Sequence, residues 1–311
     1  MAEQAIPVQA YANGKPAALS TFTKAIYSLT PENEVGERLD NTLASLQEQI
    51  SAIQSQMSTM QSQINLISAN ALPYDGAGGH NSVYRGKNLG TSVTPEQYNN
   101  IQNGTFKDLY IGDYWTINGT TYKIAHFDYY YNTGRFIPGV EVHHVTLVPS
   151  RAMYDAAMND NNSTEGGYVG SKMYTTNLAE AKSTIQADFG SEHILSHDIY
   201  LSSETDGAGR VSSDVLKTST IELMTEMNVY GTKIFGNIVW DNEPPMMREI
   251  DKTQYALFRF KTDEQCGQGL YFWLRDVVDS TSFALAGNDG GSFYASASNS
   301  NGVRPAFSIV A

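Results

Sequence analysis

The side chains that could carry acid–base, metal or nucleophilic chemistry in this 311-residue chain are few and badly spaced for it. His193 and His197 stand at i, i+4, but Ile-Leu-Ser lies between them, with no glutamate where a helical zinc-peptidase motif needs one. His143 and His144 are adjacent and on a strand would point to opposite faces. His126 closes a strand-like run, and Asp75, His80 and Asp108 show no ligand spacing and read as surface residues. The single Cys266 excludes an intrachain disulfide and any cysteine-cluster metal site. No Gly-x-Ser-x-Gly or EF-hand spacing occurs, and Asp198 to Arg210 reads as an acidic glycine-containing loop. The expectation is a non-enzyme with no catalytic residue, no metal site and no cofactor.

Recognition chemistry is better represented. Asp279 to Asn301 sets Phe283, Phe293 and Tyr294 among Asn288, Asp289, Ser296, Ser298, Asn299 and Asn301. Aromatic rings supply contact area at low entropic cost, and small polar groups supply adaptable hydrogen bonds. These nine residues are the candidate ligand-binding surface for a glycan or protein epitope. A second reading stands beside it: the alternation from Phe293 to Ser298 also fits a half-buried strand with one ring in the core.

The element that would present such a surface lies earlier in the chain. Leu39, Leu43, Leu46, Ile50, Ile53, Met57, Met60, Ile64 and Ile67 recur at strictly alternating gaps of four and three, a heptad seam. A helix over these residues is roughly 43 Å long. Its flanking positions, from Asp40 to Ser68, hold almost no charge, so interhelical salt bridges cannot choose the partner. Isoleucine at both core positions favours more than two strands, and the expectation is a parallel homotrimer. Before the seam, residues 1–35 read either as an arm that orders against a larger assembly or as a disordered terminus. After it, glycines and Pro73 mark a neck over 70–104, with Thr94-Pro95-Glu96 opening a short capped helix.

Residues 105–311 read as an α+β body. Asn118-Gly119 marks a hairpin between Asp113 and His126, and His143 to Pro149 is a strand. Ser150 caps a helix through Met158, and Met173 to Ala187 and Val215 to Tyr230 look helical. Phe235 to Trp240, Ala256 to Phe260 and Gly269 to Arg275 look like strands, followed by short β segments from Phe283 to Ile309. Trp273, Arg275, Arg304, Pro305 and Phe307 read as framework, with a buried arginine pairing with Asp276. The net charge of -13 argues against nucleic acid or an anionic membrane as partner, and no run is apolar enough for membrane insertion.

Three segments carry a resemblance: Ile111-Gly-Asp-Tyr-Trp-Thr-Ile-Asn-Gly-Thr, Tyr271-Phe-Trp-Leu-Arg-Asp276 and Gly302-Val-Arg-Pro-Ala-Phe307. Together they make the body resemble the C-type-lectin-like family, in the bacterial and phage branch related in fold to formylglycine-generating enzymes (DUF6273). The resemblance implies a C-type-lectin-like head with its ligand-binding loops on a rigid core. Behind a trimeric stalk, it implies a bacteriophage fibre or adhesin assembled in the host cytoplasm and resident in the virion. Its partners would be other virion proteins at the N-terminal arm and a host cell-surface glycan or protein at the heads. The alternative is a capsid or tail decoration protein that binds no receptor. Formylglycine chemistry depends on cysteines, and one cysteine makes that activity a poor fit.

Overall fold

The computed structural model describes residues 11–12, 15–16, 34–71, 76–132, 140–236 and 253–311. The chain divides into two compact units, Met1–Pro73 and Tyr74–Ala311. In the first, strands β1 (Tyr11–Ala12) and β2 (Lys15–Pro16) pair antiparallel. Helix α1 then runs from Glu34 to Ala71, starting earlier than the heptad seam, and is about 57 Å long.

The polar side of α1 looks after itself. Thr42, Ser51, Thr59 and Ser62 each donate to the carbonyl four residues earlier. The apolar stripe stays exposed among the described residues: Leu46, Ile50, Ile53, Met57, Met60 and Ile64 are 49–65 % exposed, and Leu43 is half-buried. The side chains of Leu39 and Ile67 lie outside the described residues.

The second unit is a mixed α+β body with a β-sandwich-like region. One sheet comprises β3 (Tyr114–Ile117), β4 (Thr120–Phe127), β5 (Val145–Pro149), β14 (Pro305–Ile309) and β9 (Ile221–Leu223), neighbours in that order and all antiparallel. The other runs β12 (Ser292–Ser296), β11 (Ser282–Ala286), β10 (Phe272–Val277), β13 (Ser300–Val303) and β6 (Tyr154–Ala157). A separate ribbon pairs β7 (His197–Thr205) with β8 (Val211–Ser219). The expected hairpin is present, with Ile117 opposite Thr120 and Asn118-Gly119 between them.

Strands β10 and β11 of the second sheet are buried on both faces, which explains their run of apolar residues. Phe272, Leu274, Ala284 and Ala286 face one hydrophobic core together with Trp115, Leu147 and Phe307. Trp273, Val277, Phe283 and Leu285 face another with Met158, Tyr168 and Val303. Beside β10, Gly302 packs where no side chain fits, since an added Cβ would lie 2.6 Å from the Tyr271 carbonyl oxygen.

The chain crosses between the sheets at Arg304, which is fully buried. Its Nε donates to the Pro149 carbonyl at 2.8 Å and its Nη1 to the Glu264 carbonyl at 2.8 Å. The guanidinium lies over the Phe272 ring, 4.9 Å from its centroid, and burial pushes its pKa down to about 10. Trp273, Arg275, Pro305 and Phe307 are buried as well, in keeping with a framework role. Arg275 donates to the Leu223 carbonyl, and the Asp276 carboxylate accepts from the Glu226 amide.

Several local expectations are corrected. Residues 76–104 belong to the body: helices α2 (Ala77–His80) and α3 (Pro95–Gln102) pack on it, and Ile101 is fully buried. The expected cap is present, with Thr94 and Gln97 bonded reciprocally. His80 is buried, its ring bonded to the Leu109 carbonyl, whereas Asp108 sits at the surface with Arg85 and Lys87. Ser150 to Met158 holds β6 in place of a helix, because Tyr154 to Ala157 pair antiparallel with β13. Of Met173 to Ala187, α4 occupies Ala179–Phe189 after a π-turn at Met173–Asn177.

Val215 to Tyr230 is mostly β8 and β9, and only α5 (Glu226–Tyr230) is helical. Asp198 to Arg210 begins as strand β7. Ala256–Phe260 is helix α6, which packs Leu257 and Phe258 into the core. Of the strand expected over Phe235 to Trp240, residues 237–240 lie outside the described residues.

Arg304→Ala removes the donor to two buried carbonyls and is expected to cost about 3–5 kcal/mol in urea denaturation. Arg210→Ala, at an exposed ion pair with Asp206, is expected to stay within about 0.5 kcal/mol.

Candidate functional site

Edge strand β12 carries the most distinctive exposed surface of the body. Pairing on one side only with β11, it sets Phe293 opposite Leu285 and Tyr294 opposite Ala284, so consecutive rings emerge on opposite faces. Phe293 is 41 % and Tyr294 52 % exposed. Each ring has an aromatic neighbour in edge-to-face geometry: Tyr271 stands 6.0 Å from Phe293, and Phe235 stands 5.1 Å from Tyr294. Ile234 and Leu270 extend the exposed apolar area beside Phe235 and Tyr271.

A buried carboxylate positions one of these pairs. Glu226, in the first turn of α5, is fully buried, and its carboxylate accepts from the amides of Ile234, Phe235 and Gly236 at 2.8–3.1 Å. It also accepts from the Ser292 hydroxyl at 2.8 Å. One anion thus ties the Phe235 backbone to the start of β12. The turn before β12 is held by Asp289, which accepts from the Gly291 amide, and by the Tyr230 hydroxyl, which donates to the Gly291 carbonyl. Burial, reinforced by the Glu226 charge, raises the Tyr230 pKa and keeps it a neutral donor.

The nine residues expected to form one surface divide. Phe283 is fully buried in the core and is corrected to framework, because β11 is covered on both faces. Asn288 and Asp289 are exposed at the turn before β12, and Phe293 and Tyr294 project from the strand itself. Ser296 ends β12, two residues and about 7 Å from Tyr294, and Ser298 and Asn299 follow in the turn after it, where the Ser298 hydroxyl donates to Asn162. Asn301 sits on interior strand β13 opposite Ala156. Sequence reasoning missed Tyr271, Phe235 and Glu226. Tyr271 abuts a framework strand and Phe235 falls in another segment, so only tertiary packing reveals them.

The histidines serve packing. Nδ1 of His126 accepts from the Ala256 amide at 3.1 Å, and burial, aided by the nearby Arg259 charge, pushes its pKa down to about 3. Nε2 of His144 accepts from the Tyr130 amide, and burial lowers its pKa too. His143 pairs with the Asp128 carboxylate at 2.7 Å and stacks on Tyr131. His193 stacks on Tyr98, and His197 stacks on Tyr130. Among the described residues, no group of His, Cys, Asp or Glu is arranged to hold a metal ion.

Comparisons with family models, curated proteins and solved structures find no match to this chain.

His126 generates a pH prediction. Its folded pKa lies below the unfolded value, so between about pH 6.5 and pH 3 the unfolded chain binds a proton that the folded one refuses. Stability is present above that window and is lost as the pH falls through it. From pH 7 to pH 5 the His126 contribution is about 2 kcal/mol. Urea midpoints measured at both values should fall for the natural protein and fall less for His126→Asn.

Proposed function

We propose that the chain is one protomer of a homotrimeric, fibre-like adhesin of a bacteriophage particle. The exposed heptad stripe of α1 carries this reading: six apolar side chains at coiled-coil spacing are 49–65 % exposed along a helix whose polar side is self-satisfied. Two further parallel copies would cover that stripe. Isoleucine at both core positions favours three strands over two. The body is the head of the fibre, read as C-type-lectin-like from its Trp-Leu-Arg and Val-Arg-Pro-Ala-Phe segments. The N-terminal arm attaches it to other virion proteins.

The β12 edge is where such a head would meet a glycan or protein of the host surface. Exposed rings flanked by asparagine and serine supply area and hydrogen bonds, while Glu226 and Tyr230 keep the strand's surroundings in place. Three linked heads raise effective concentration, so a weak contact at each becomes firm attachment.

Binding of the full chain to a panel of bacterial strains and to a glycan array tests the proposal. The expected result is strain-selective binding that falls about tenfold or more in Tyr294→Ala and Phe293→Ala. Both variants should keep the natural urea midpoint within about 1 kcal/mol, because the rings are exposed. Introducing lysine at Ile53 and Met57 should lose most cell binding while leaving the single-head contact intact. No binding to any strain or glycan would remove the receptor role and favour a decoration protein.

A further inference from the structure

The opposite edge of the β12 sheet carries a second feature, independent of the adhesin reading. A cleft of about 290 Å³ opens beside β6, walled by the β3–β4 turn, the Pro149–Tyr154 crossover and the first turns of α4. That volume is at the lower end for ligand pockets, which run from roughly 300 to 1,000 Å³, so the occupant is small.

The chemistry of its walls is specific. Arg151 and Glu180 both line the cleft, and among the described residues neither side chain forms a hydrogen bond or ion pair, with the other or with anything else. Arg85, Lys87, Lys123, Lys172 and Arg210 all have acidic partners. Thr120, Thr121 and Gln268 line the same cleft. Tyr154 contributes a ring but no free hydroxyl, since its oxygen accepts from the Ala181 amide and donates to the Asn177 carbonyl.

A cation and an anion lining one small polar cleft are complementary to a molecule bearing both charges. A neutral polyol would leave both uncompensated, and a simple anion or cation would satisfy only one. We propose that this cleft binds a small zwitterion of the free α-amino-acid class. Arg151 takes the carboxylate through paired N–H donors, Glu180 accepts from the ammonium, and Gln268 with the threonine hydroxyls meets the remaining polar atoms.

The test is two-dimensional NMR titration of the full chain with glycine, L-alanine, L-serine and L-glutamine, compared with N-acetylglycine, glycinamide and glucose. At least one free amino acid should shift the amides of Arg151, Ala152 and Thr121, and its affinity should fall about tenfold or more in Arg151→Ala and in Glu180→Gln. Both side chains are exposed, so both variants should fold normally. N-acetylglycine lacks the ammonium and glycinamide the carboxylate, so each should bind at least about tenfold more weakly. Tyr294→Ala should leave the titration unchanged, which separates this cleft from the adhesin surface. Absence of shifts with every amino acid, equal binding of N-acetylglycine or glycinamide, or preference for glucose would overturn the proposal.

Discussion

Along α1, an apolar stripe is exposed among the described residues. From Leu46 to Ile64 the stripe side chains are 49–65 % exposed. Burying such a side chain fully is worth about 1.5–3 kcal/mol, and most helical stability comes from packing an apolar face. Thr42, Ser51, Thr59 and Ser62 return their hydroxyl bonds to the helix backbone. The near-absence of charge beside the stripe leaves selection to core shape. Under the proposed reading, these constraints make the helix an association element and the body after it a unit to be presented in several copies.

The body solves a different problem. Its second sheet divides two hydrophobic cores, so β10 and β11 are apolar on both faces and rigid. Arg304 ties the sheets where the chain crosses between them, and its two carbonyl partners lie on separate segments. What is left outward is the edge, β12, where consecutive residues must emerge on opposite faces. Tyr294 and Phe293 are consequences of that edge position. Glu226 then fixes Phe235 next to one of them through three successive backbone amides.

What could be read from the residues in order was what local geometry decides. The heptad spacing of α1, the Asn118-Gly119 hairpin and the Thr94 cap depend on neighbours within a few positions, and the structure contains the helix, the hairpin and the capping box. Tertiary pairing decided the rest. Val215 to Tyr230 has apolar residues that fit a helical face, yet β8 is recruited by β7 and β9 by β14. Ala256–Phe260 is rich in strand formers, but a single turn of helix brings Leu257 and Phe258 into the core together. Phe283 looked like one more ring in a polar aromatic window. Its burial follows from a second core on the far face of β11, which no period-two count reveals. Half of the candidate surface was legible for the same reason: Phe293 and Tyr294 lie in the window, while Tyr271, Phe235 and Glu226 reach it through space.

Sedimentation equilibrium of the full chain across a wide concentration range is the most direct measurement of the central claim, that α1 exists to join three copies. The account predicts a species of three times the 34.1 kDa chain mass, which dissociates when lysine replaces Ile53 and Met57. A mass of one chain at every concentration would contradict it, and a stable mass of two chains would retain the stalk but refute the trimer.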